Sequence, residues 1–242
     1  MNPILVIPAR LKATRLPGKP LALIGAEPMI VHVWRRAVAA QCGPVIVACA
    51  EPEIADAIAK VGGRALLTGD HPTGSDRVFE AVSKTDPERR HDVVVNVQGD
   101  LPLIDPAAIR AALAPLADAA VDIATLAAPI VEPGEREAAS VVKVAAGFAP
   151  GARVARALYF SRLPVPFGDG AHYHHIGLYA YRRAALERFV ALAPGVLERR
   201  ESLEQLRALE AGMRIDVALV DSVPLGVDTP ADLARARALL AP

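Results

Sequence analysis

Four cationic side chains lie within ten residues near the start of the chain, directly after the apolar run 4–7: Arg10, Lys12, Arg15 and Lys19. The loop that carries them contains no acid, although the whole chain is neutral, with 27 basic and 27 acidic residues. In open α/β sheets ligands bind beyond the carboxyl ends of strands, and Arg and Lys there offset phosphate charge. This pattern indicates a nucleoside triphosphate site, with a solvated basic loop as the alternative.

Two aspartates stand where further strand-like segments end. Asp100 closes the segment N-V-Q-G-D, and Asp228 lies in G-V-D-T-P. A carboxylate at the end of a parallel strand faces the same sheet edge as the basic loop, and Mg²⁺ beside a triphosphate takes one or two carboxylates. The alternatives are that Asp100 caps a turn before Pro102 and that Asp228 or Thr229 caps the last helix.

Other nucleotide and catalytic motifs do not fit the chain. The basic loop is not a Walker A motif, because Pro20 follows Lys19 where that motif needs Ser or Thr. No G-x-G-x-x-G or G-x-S-x-G is present, which disfavours a dinucleotide cofactor and a serine hydrolase. Three histidines lie close in sequence without a Cys or acid to complete a zinc site: His172, His174 and His175.

Composition limits the class of protein. At 242 residues the chain can form one large α/β domain (1–242), and 52% hydrophobic and 22% charged residues exclude disorder. Only 4% of residues are aromatic and the net charge is zero, which argues against nucleic-acid binding. No apolar run reaches about 18 residues, and the cations follow the N-terminal apolar run, so neither a membrane helix nor a signal peptide is expected. Cys42 and Cys49 resemble small buried hydrophobes, which suits a reducing, cytoplasmic location.

Predicted strands and helices alternate in the first half of the chain. Strands are predicted at 4–7, 45–48, 64–68, 93–97 and 123–126. Helices are predicted at 29–40, 53–61, 76–84 and 106–116. Val- and Ile-rich runs separated by helices predict an α/β fold with a parallel sheet buried on both faces.

The regular alternation of strands and helices ends at about residue 128. Further strands are predicted at 141–144, 156–160, 175–181 and 215–219, and helices at 182–192, 195–212 and 229–240. Residues 129–182 are interpreted as a small inserted β-rich lobe. A continuous helix over 195–212 would place Glu201, Glu204, Gln205 and Ala208 on one polar face, opposite three core leucines at 203, 206 and 209.

Eight segments, in combination and in order, resemble the 3-deoxy-manno-octulosonate (Kdo) cytidylyltransferases, the CMP-Kdo synthetases of lipopolysaccharide assembly. They are I-P-A-R-L-K-A-T-R-L-P-G-K-P-L (7–21), P-M-I-V-H-V (28–33), T-G-S-D-R (73–77), V-N-V-Q-G-D (95–100), A-L-Y-F-S-R (157–162), H-I-G-L-Y-A-Y (175–181), E-S-L-E-Q-L-R (201–207) and G-V-D-T-P-A-D-L (226–233). The resemblance covers nearly the whole chain.

The resemblance implies a Rossmann-like nucleotidyltransferase with a mostly parallel central sheet, and a homodimer formed through the smaller lobe, which also binds sugar. It implies CTP and Kdo as substrates, no nucleic-acid or membrane partner, and Mg²⁺ as cofactor on Asp100 and Asp228. The implied catalytic residues are Arg10, Lys19 and Asp100. The implied nucleotide-binding residues are Pro8, Ala9, Arg10, Lys19, Thr73, Gly74, Ser75 and Gln98. The implied sugar-binding residues are Arg15, Gln98, Arg162, His175, Tyr179, Glu204 and Gln205.

The chain departs from the family pattern at Ala13, Leu101 and Asp169, where the family has Ser, Glu and Arg, and it is one residue shorter near 69–72. Because Asp169 replaces a cation of the sugar site, an amino-Kdo or another acidic ulosonate is an alternative acceptor. A catalytically weak nucleotide-binding module is a second alternative. No side chain stands out as a general base, so the hypothesis is that the metal activates the attacking hydroxyl.

Overall fold

The structure, a computed structural model, describes residues 1–12 and 15–240, so Ala13 lies outside the described residues. The described residues form two compact units, one made of those in Met1–Ile109 together with those from Pro224 onward, and the other of Arg110–Val223. None of the helices in these residues has the length and apolar composition needed to cross a bilayer.

The first unit is built on parallel strands joined through helices. Its strands are β1 (Pro3–Ala9), β2 (Leu23–Ile24), β3 (Glu27–Pro28), β4 (Val45–Cys49), β5 (Arg64–Leu67) and β6 (Val93–Asn96). Its helices are α1 (Met29–Ala39), α2 (Pro52–Ala59), α3 (Gly74–Thr85), α4 (Pro106–Ala111, which runs into the second unit) and α9 (Pro230–Leu240), with a 3₁₀ turn at Lys19–Leu21.

The main strands of this unit lie in the order β5-β4-β1-β6 and are all parallel, as predicted. The β-branched and aliphatic side chains of β1 and β6 are buried, which is typical of a parallel sheet covered on both faces. β5 is partly exposed because it lies at the edge. All four carboxyl ends therefore open at one edge of the sheet.

The second unit is mostly antiparallel. It contains β7 (Ile123–Pro129), β8 (Lys143–Ala146), β9 (Val154–Ser161), β10 (Tyr173–Arg182) and β11 (Ile215–Leu219). Its helices are α5 (Pro133–Glu137), α6 (Arg183–Ala191), α7 (Val196–Glu201) and α8 (Leu206–Glu210), with a 3₁₀ turn at Ala114–Ala117. The strand order is β10-β7-β11-β9-β8, and β10 also pairs with β8. Only the pair β7–β11 is parallel among the described strands of this unit.

The continuous helix predicted over 195–212 is wrong. α7 ends at Glu201, its C-cap Ser202 adopts a left-handed conformation (φ 55°, ψ 47°), and the Leu203 N–H closes the turn on the Glu198 carbonyl at 3.2 Å. Glu204 and Gln205 therefore lie in the connection to α8 rather than on one helical face, and Gln205 is buried. The helix predicted to run to residue 116 likewise ends at Ala111 and continues as a 3₁₀ turn.

The two cysteines differ in environment. Cys49 is buried at the end of β4, as predicted, whereas Cys42 is only half-buried; both thiols are free. Burial raises the pKa of Cys49 to about 11, to which the Glu51 charge adds. Cys49 is therefore an unreactive thiol.

Candidate active site

The basic loop lines a cleft of about 360 Å³ in the first unit, at the carboxyl ends of its parallel strands. This volume is in the range of small-molecule sites. The lining residues are Pro8, Ala9, Arg10, Lys12, Arg15, Leu16, Lys19, Pro20, His71, Thr73, Gly74, Arg77, Gln98, Gly99, Asp100 and Asp228.

Asp100 and Asp228, separated by more than half of the chain, converge on one ammonium group. Lys19 Nζ lies 3.0 Å from Asp100 Oδ2 and 2.9 Å from Asp228 Oδ1. Burial lowers the pKa of Lys19, but the charges and hydrogen bonds of the two carboxylates outweigh that effect, so the net shift is upward. Lys19 is therefore a fixed cation in the cleft.

Backbone contacts hold this arrangement. The Val227 N–H donates to the Asp100 carbonyl at 2.9 Å, so the segment before α9 is fastened to the turn after β6. The Val227 side chain is buried in a cluster with Ile24, Met29 and Leu233. This packing fixes the carboxylate of the next residue, Asp228.

Thr229, rather than Asp228, caps the last helix. The Thr229 hydroxyl accepts from the Asp232 N–H at 3.2 Å, and Asp232 Oδ2 accepts from the Thr229 N–H at 2.9 Å. This reciprocal pair is a capping box with Pro230 at the first helical position. The Asp228 carboxylate is thus left to face Lys19.

The basic loop acquires acidic partners only on folding. Arg15 lies 3.1 Å from Asp228 Oδ2, and Lys12 lies 3.7 Å from Asp70. Gly18, at φ +70°, begins the 3₁₀ turn that carries Lys19, and its N–H closes the loop on the Leu11 carbonyl at 3.1 Å. A left-handed residue here favours glycine.

The donor set of the cleft fits Mg²⁺. Carboxylate oxygens are the ligands this hard cation prefers, and it keeps several waters and phosphate oxygens beside one or two of them. Asp100 is bonded to Lys19 through Oδ2, which leaves Oδ1, and Asp228 Oδ2 is bonded to the exposed Arg15. In residues 1–12 and 15–240 no three His, Cys, Asp or Glu side chains are grouped as a metal site.

The end of β1 and the start of α3 form one wall of the cleft. Gly99 packs so closely that a Cβ there would lie 2.7 Å from the Pro8 carbonyl oxygen, while one on Gly74 would lie 3.5 Å from the Pro8 ring. Thr73 caps α3, accepting from the Asp76 N–H at 3.2 Å. Gly99 thus lets the turn after β6 approach β1.

The cleft brings together nearly all of the predicted nucleotide-binding residues, with Ser75 as the exception, since it is buried beside the cleft without lining it. Sequence reasoning assigned no role to His71 and Arg77, which also line the cleft. The His71 ring contacts the carboxylate of Glu80, whose pKa falls to about 2, first through its Lys84 contact and then through His71. The sequence signal that could have pointed to Arg77 is the motif T-G-S-D-R, of which Arg77 is the last residue.

Most of the predicted sugar-binding residues lie in the second unit, around β10. His175 is buried, and its Nε2 lies 3.0 Å from the Thr125 hydroxyl. That hydroxyl lies within 3.1 Å of the Ile176 carbonyl and 2.9 Å of the Leu178 carbonyl, inside a bulge of β10. Bulges are often found beside active sites. Burial lowers the pKa of His175 to about 3, with a smaller effect of His174.

A row of rings connects these residues. The His175 and Tyr179 centroids are 5.6 Å apart, and those of Tyr179 and Tyr181 are 5.8 Å apart. Burial, then Tyr181 and Glu204, raises the pKa of Tyr179 well above its ordinary value. The ring of Tyr179 therefore stays neutral.

Arg162 and Gln205 lie near the connection between α7 and α8. Arg162 donates to three backbone carbonyls: those of Glu201 at 2.7 Å, Ala139 at 3.1 Å and Ser202 at 3.3 Å. The Nε2 of Gln205 is buried with no hydrogen-bond partner among the described residues. Asp169 lies exposed in a glycine-rich turn, and Leu101 is buried beside Gly226.

The chain is similar to known cytidylyltransferases over most of its length. The family model described as "Cytidylyltransferase" matches residues 4–215. A 3-deoxy-manno-octulosonate cytidylyltransferase of Paramagnetospirillum magneticum is 67% identical over 99% of this chain and 98% of its own. That of Rhodospirillum centenum is 66% identical over 100% of this chain and 94% of its own.

Two solved structures extend the comparison. The structure of CMP:2-keto-3-deoxy-manno-octonic acid synthetase complexed with CTP is 39% identical, with a TM-score of 0.91, covering 100% of this chain and 99% of its own. A cytidylyltransferase of Leptospira borgpetersenii, 16% identical with a TM-score of 0.61, covers 96% of this chain and 83% of its own and shares the fold.

Proposed function

The chain belongs to the cytidylyltransferase family, and we propose that it transfers the cytidylyl group of CTP to the anomeric hydroxyl of Kdo. The products are CMP-Kdo and pyrophosphate. The observation that carries the proposal is the convergence of Asp100 and Asp228 on Lys19 inside a cleft lined by further cations. This combination of charges suits a triphosphate and the hard cation that accompanies it.

The reaction is a displacement at the α-phosphorus. The anomeric oxygen of Kdo forms the new P–O bond, the bond to the oxygen bridging the α- and β-phosphates breaks, and pyrophosphate leaves with that electron pair. The hydroxyl proton is released to solvent. Catalysis rests on positioning and charge neutralisation rather than on covalent chemistry by the protein.

Two cations of the cleft, Lys19 and Arg10, act on the phosphates. Lys19 is held by two carboxylates, so its ammonium is already oriented before substrate binds. Arg10 lines the cleft beside it and carries a planar fork suited to phosphate oxygens. Both side chains neutralise the charge that builds up on the departing pyrophosphate. Pro8, Ala9 and the Thr73–Gly74 turn border the space for the nucleoside.

Asp100 and Asp228 would hold Mg²⁺, which would lower the pKa of the attacking hydroxyl and polarise the α-phosphate. The open Oδ1 of Asp100 and the exposed side of Asp228 are the oxygens available for it. Lys19, between the two carboxylates, keeps them from repelling each other when no cation is bound. Asp100, Asp228 and Lys19 thus hold the metal site in place before the cation binds.

The acceptor is an acidic sugar bound by residues of the second unit. Gln205 presents a buried amide nitrogen with no partner among residues 1–12 and 15–240, which a sugar hydroxyl or carboxylate would satisfy. Tyr179 and the neutral His175 supply polar groups on a rigid strand. Because Asp169 adds an anion where the family has a cation, an amino-Kdo or another ulosonate remains the alternative acceptor.

The lobe 129–182 is the proposed dimerisation surface. Phe167 is fully exposed there, and Leu163, Leu158 and Val131 are also largely exposed. Exposed apolar groups of this kind favour association with a second copy of the chain. Sedimentation velocity of the wild type and of Phe167→Ser tests this: we expect a dimer that the substitution weakens, and a monomeric wild type would contradict it.

The function is tested by a coupled pyrophosphate assay with CTP, Mg²⁺ and Kdo, with ATP, GTP and UTP as controls. We expect release only with CTP and Kdo, and a product with the mass of CMP-Kdo. Release with another ulosonate but not with Kdo would identify the alternative acceptor. CTP binding without release from any acidic sugar would instead identify a catalytically weak nucleotide-binding module.

A further inference from the structure

Thr125 carries a buried hydroxyl group at the centre of the sheet of the second unit. It is 0% exposed, and its strand β7 lies between β10 and β11. Its backbone pairs with Tyr179 on one side and with Val217 on the other. At this point β10 carries two extra residues, Gly177 and Leu178, which form its bulge. Bulges of this kind re-aim side chains and are often found beside active sites.

The contacts of the Thr125 hydroxyl determine which nitrogen of His175 carries the proton. The hydroxyl lies 2.9 Å from the Leu178 carbonyl and 3.1 Å from the Ile176 carbonyl, and a carbonyl oxygen can only accept. The single hydroxyl proton is used by these carbonyls, so none is left for His175 Nε2, which lies 3.0 Å away. Nε2 is therefore the donor in that contact, and Nδ1 of the neutral ring is an acceptor.

The ring of His175 is neutral and fixed in orientation. Burial lowers its pKa to about 3, with a smaller effect of His174. The Phe160 ring meets it at 69° with the centroids 4.8 Å apart, and the Tyr179 centroid is 5.6 Å away. Among residues 1–12 and 15–240 the ring forms a hydrogen bond through Nε2 alone. A ring held in this way offers one unprotonated nitrogen to a ligand.

We propose that Thr125 is a positioning residue that holds His175 as the Nε2–H tautomer, so that Nδ1 accepts a hydrogen bond from a hydroxyl group of the acidic sugar. This inference rests on the proposed function and deepens it. Thr125 itself is fully buried, so it acts on the sugar only through the ring. In metal sites the partner of one imidazole nitrogen fixes what the other nitrogen can bind, and the same logic holds here.

The unprotonated Nδ1 also decides which group of the sugar can face it. A carboxylate can only accept hydrogen bonds, so it would meet the lone pair of Nδ1 with one of its own. A sugar hydroxyl can donate, and it satisfies the nitrogen. The tautomer therefore turns a hydroxyl edge of the sugar towards β10 and its carboxylate away from His175.

The tautomer is tested by ¹⁵N NMR of protein labelled at its six histidines, with the His175 signals identified by their loss in His175→Gln. Protonated and unprotonated imidazole nitrogens have well-separated ¹⁵N shifts. We expect a protonated Nε2 and an unprotonated Nδ1 in wild type and in Thr125→Ser, and a mixture of tautomers in Thr125→Val. A wild-type ring protonated on Nδ1, or an unchanged tautomer in Thr125→Val, would overturn the proposal. The measurement needs no substrate, so it does not depend on the proposed function.

Steady-state kinetics test the positioning role. In Thr125→Val we expect the KM for Kdo to rise about 3- to 10-fold, the range for one hydrogen bond between neutral groups. The kcat and the KM for CTP should stay within about twofold, as should every constant of Thr125→Ser, which keeps the hydroxyl. Thr85→Val, which removes a hydroxyl bonded to the Ala81 carbonyl at 2.7 Å in the first unit, is the matched control. An unchanged KM for Kdo in Thr125→Val, or an equal rise in both KM values, would overturn the proposal.

Wild-type protein keeps the proposal testable if Thr125→Val fails to fold. Kdo is added to the ¹⁵N-labelled protein in the presence of α,β-methylene CTP, from which pyrophosphate cannot leave. We expect the Nδ1 signal of His175 to shift as this nitrogen accepts a hydrogen bond, while Nε2 stays protonated. An Nδ1 signal that does not move at saturating Kdo, or that shows protonation of Nδ1, would overturn the proposal. A wild type that releases no pyrophosphate from CTP and Kdo would instead contradict the proposed function.

Discussion

The two groups of candidate site residues are held in place by different means. In the first unit Lys19, Asp100, Asp228 and Arg15 lie on loops at strand ends, are partly exposed, and are positioned by ion pairs with one another. In the second unit His175 and its neighbours lie within β10, where burial, a bulge and stacked rings fix them. Ion pairs fix the first group, and packing fixes the second.

This difference follows from what each group is proposed to bind. A triphosphate and Mg²⁺ must displace existing ion pairs, so partly exposed pairs of little net stability suit the exchange. A neutral polar surface for sugar recognition needs rigid side chains whose hydrogen bonds are incomplete, as the Gln205 amide is among the described residues. Substitutions in the cleft should therefore affect activity more than stability, and substitutions in the second unit should affect stability as well.

The largest effect is expected for Asp100→Asn. Loss of this charge should lower the rate of pyrophosphate release by about 10²–10³, the scale for removing one electrostatic contact at a transferring group. The free energy of unfolding should change by less than about 1 kcal/mol, since the pair with Lys19 is partly exposed. Asp56→Asn, on the exposed side of α2, is the matched control. Wild-type turnover by Asp100→Asn would remove Asp100 from the catalytic site.

In the second unit the corresponding change is Arg207→Met. Arg207 binds Glu198 through two hydrogen bonds of 2.8 and 2.7 Å, and the two side chains are 8% and 14% exposed. Removing Arg207 takes the cation away from the largely buried Glu198 carboxylate, which keeps only the Gly195 N–H as a hydrogen-bond donor among the described residues, so we expect a loss of about 3–5 kcal/mol in the free energy of unfolding by urea. The double variant with Glu198→Gln should recover part of it.

The same variant also tests the division between the two groups. Because Glu204 and Gln205 lie between α7 and α8, the KM for Kdo should rise in Arg207→Met while the KM for CTP stays within about twofold. Arg200→Met, exposed on α7, is the matched control for both measurements. Equal effects on both KM values would show that the two groups are not independent.

A smaller effect is expected from the protonation of His175. Its folded pKa is about 3, against an ordinary value of 6.5. Between these values the unfolded chain binds a proton that the folded chain does not, so the folded state loses stability as the pH falls from about 6.5. Comparing unfolding curves of wild type and His175→Gln from pH 8 to 4 should show a difference in slope of up to about 1.4 kcal/mol per pH unit. Parallel curves throughout would contradict the low pKa.

The sequence predicted the parallel strands and the cleft well because those features are local. Short Val- and Ile-rich runs and a cationic loop can be recognised without knowing what they contact. Asp100 and Asp228 are 128 residues apart in sequence. Their pairing was predicted from the order of the motifs that carry the family resemblance. Two contacts hold the pair in place: the hydrogen bond from the Val227 N–H to the Asp100 carbonyl and the packing of the Val227 side chain. Neither contact can be recognised from the local sequence.

Two features could not be predicted for physical reasons. Ser202 interrupts the helix in a left-handed conformation, which favours Gly or Asn over Ser, so periodicity alone predicted a continuous helix. Arg77 was overlooked because one arginine on an amphipathic helix is usually a solvated side chain. Its burial depends on the Thr68 contact from the end of β5.

The smallest effect is expected for Arg15→Gln. Arg15 and Asp228 are 68% and 47% exposed, so breaking their pair should change the free energy of unfolding by less than about 1 kcal/mol. Because Arg15 occupies Oδ2 of Asp228, its removal should tighten the apparent Mg²⁺ affinity by up to about fivefold, measured by titrating Mg²⁺ in the pyrophosphate assay at saturating CTP. Arg35→Gln, whose pair with Glu27 lies outside the cleft, should leave that affinity unchanged. If Arg15→Gln leaves the Mg²⁺ affinity unchanged and raises the KM for Kdo, then Arg15 serves the sugar, as the family resemblance implies, and a cleft loop takes part in binding both ligands.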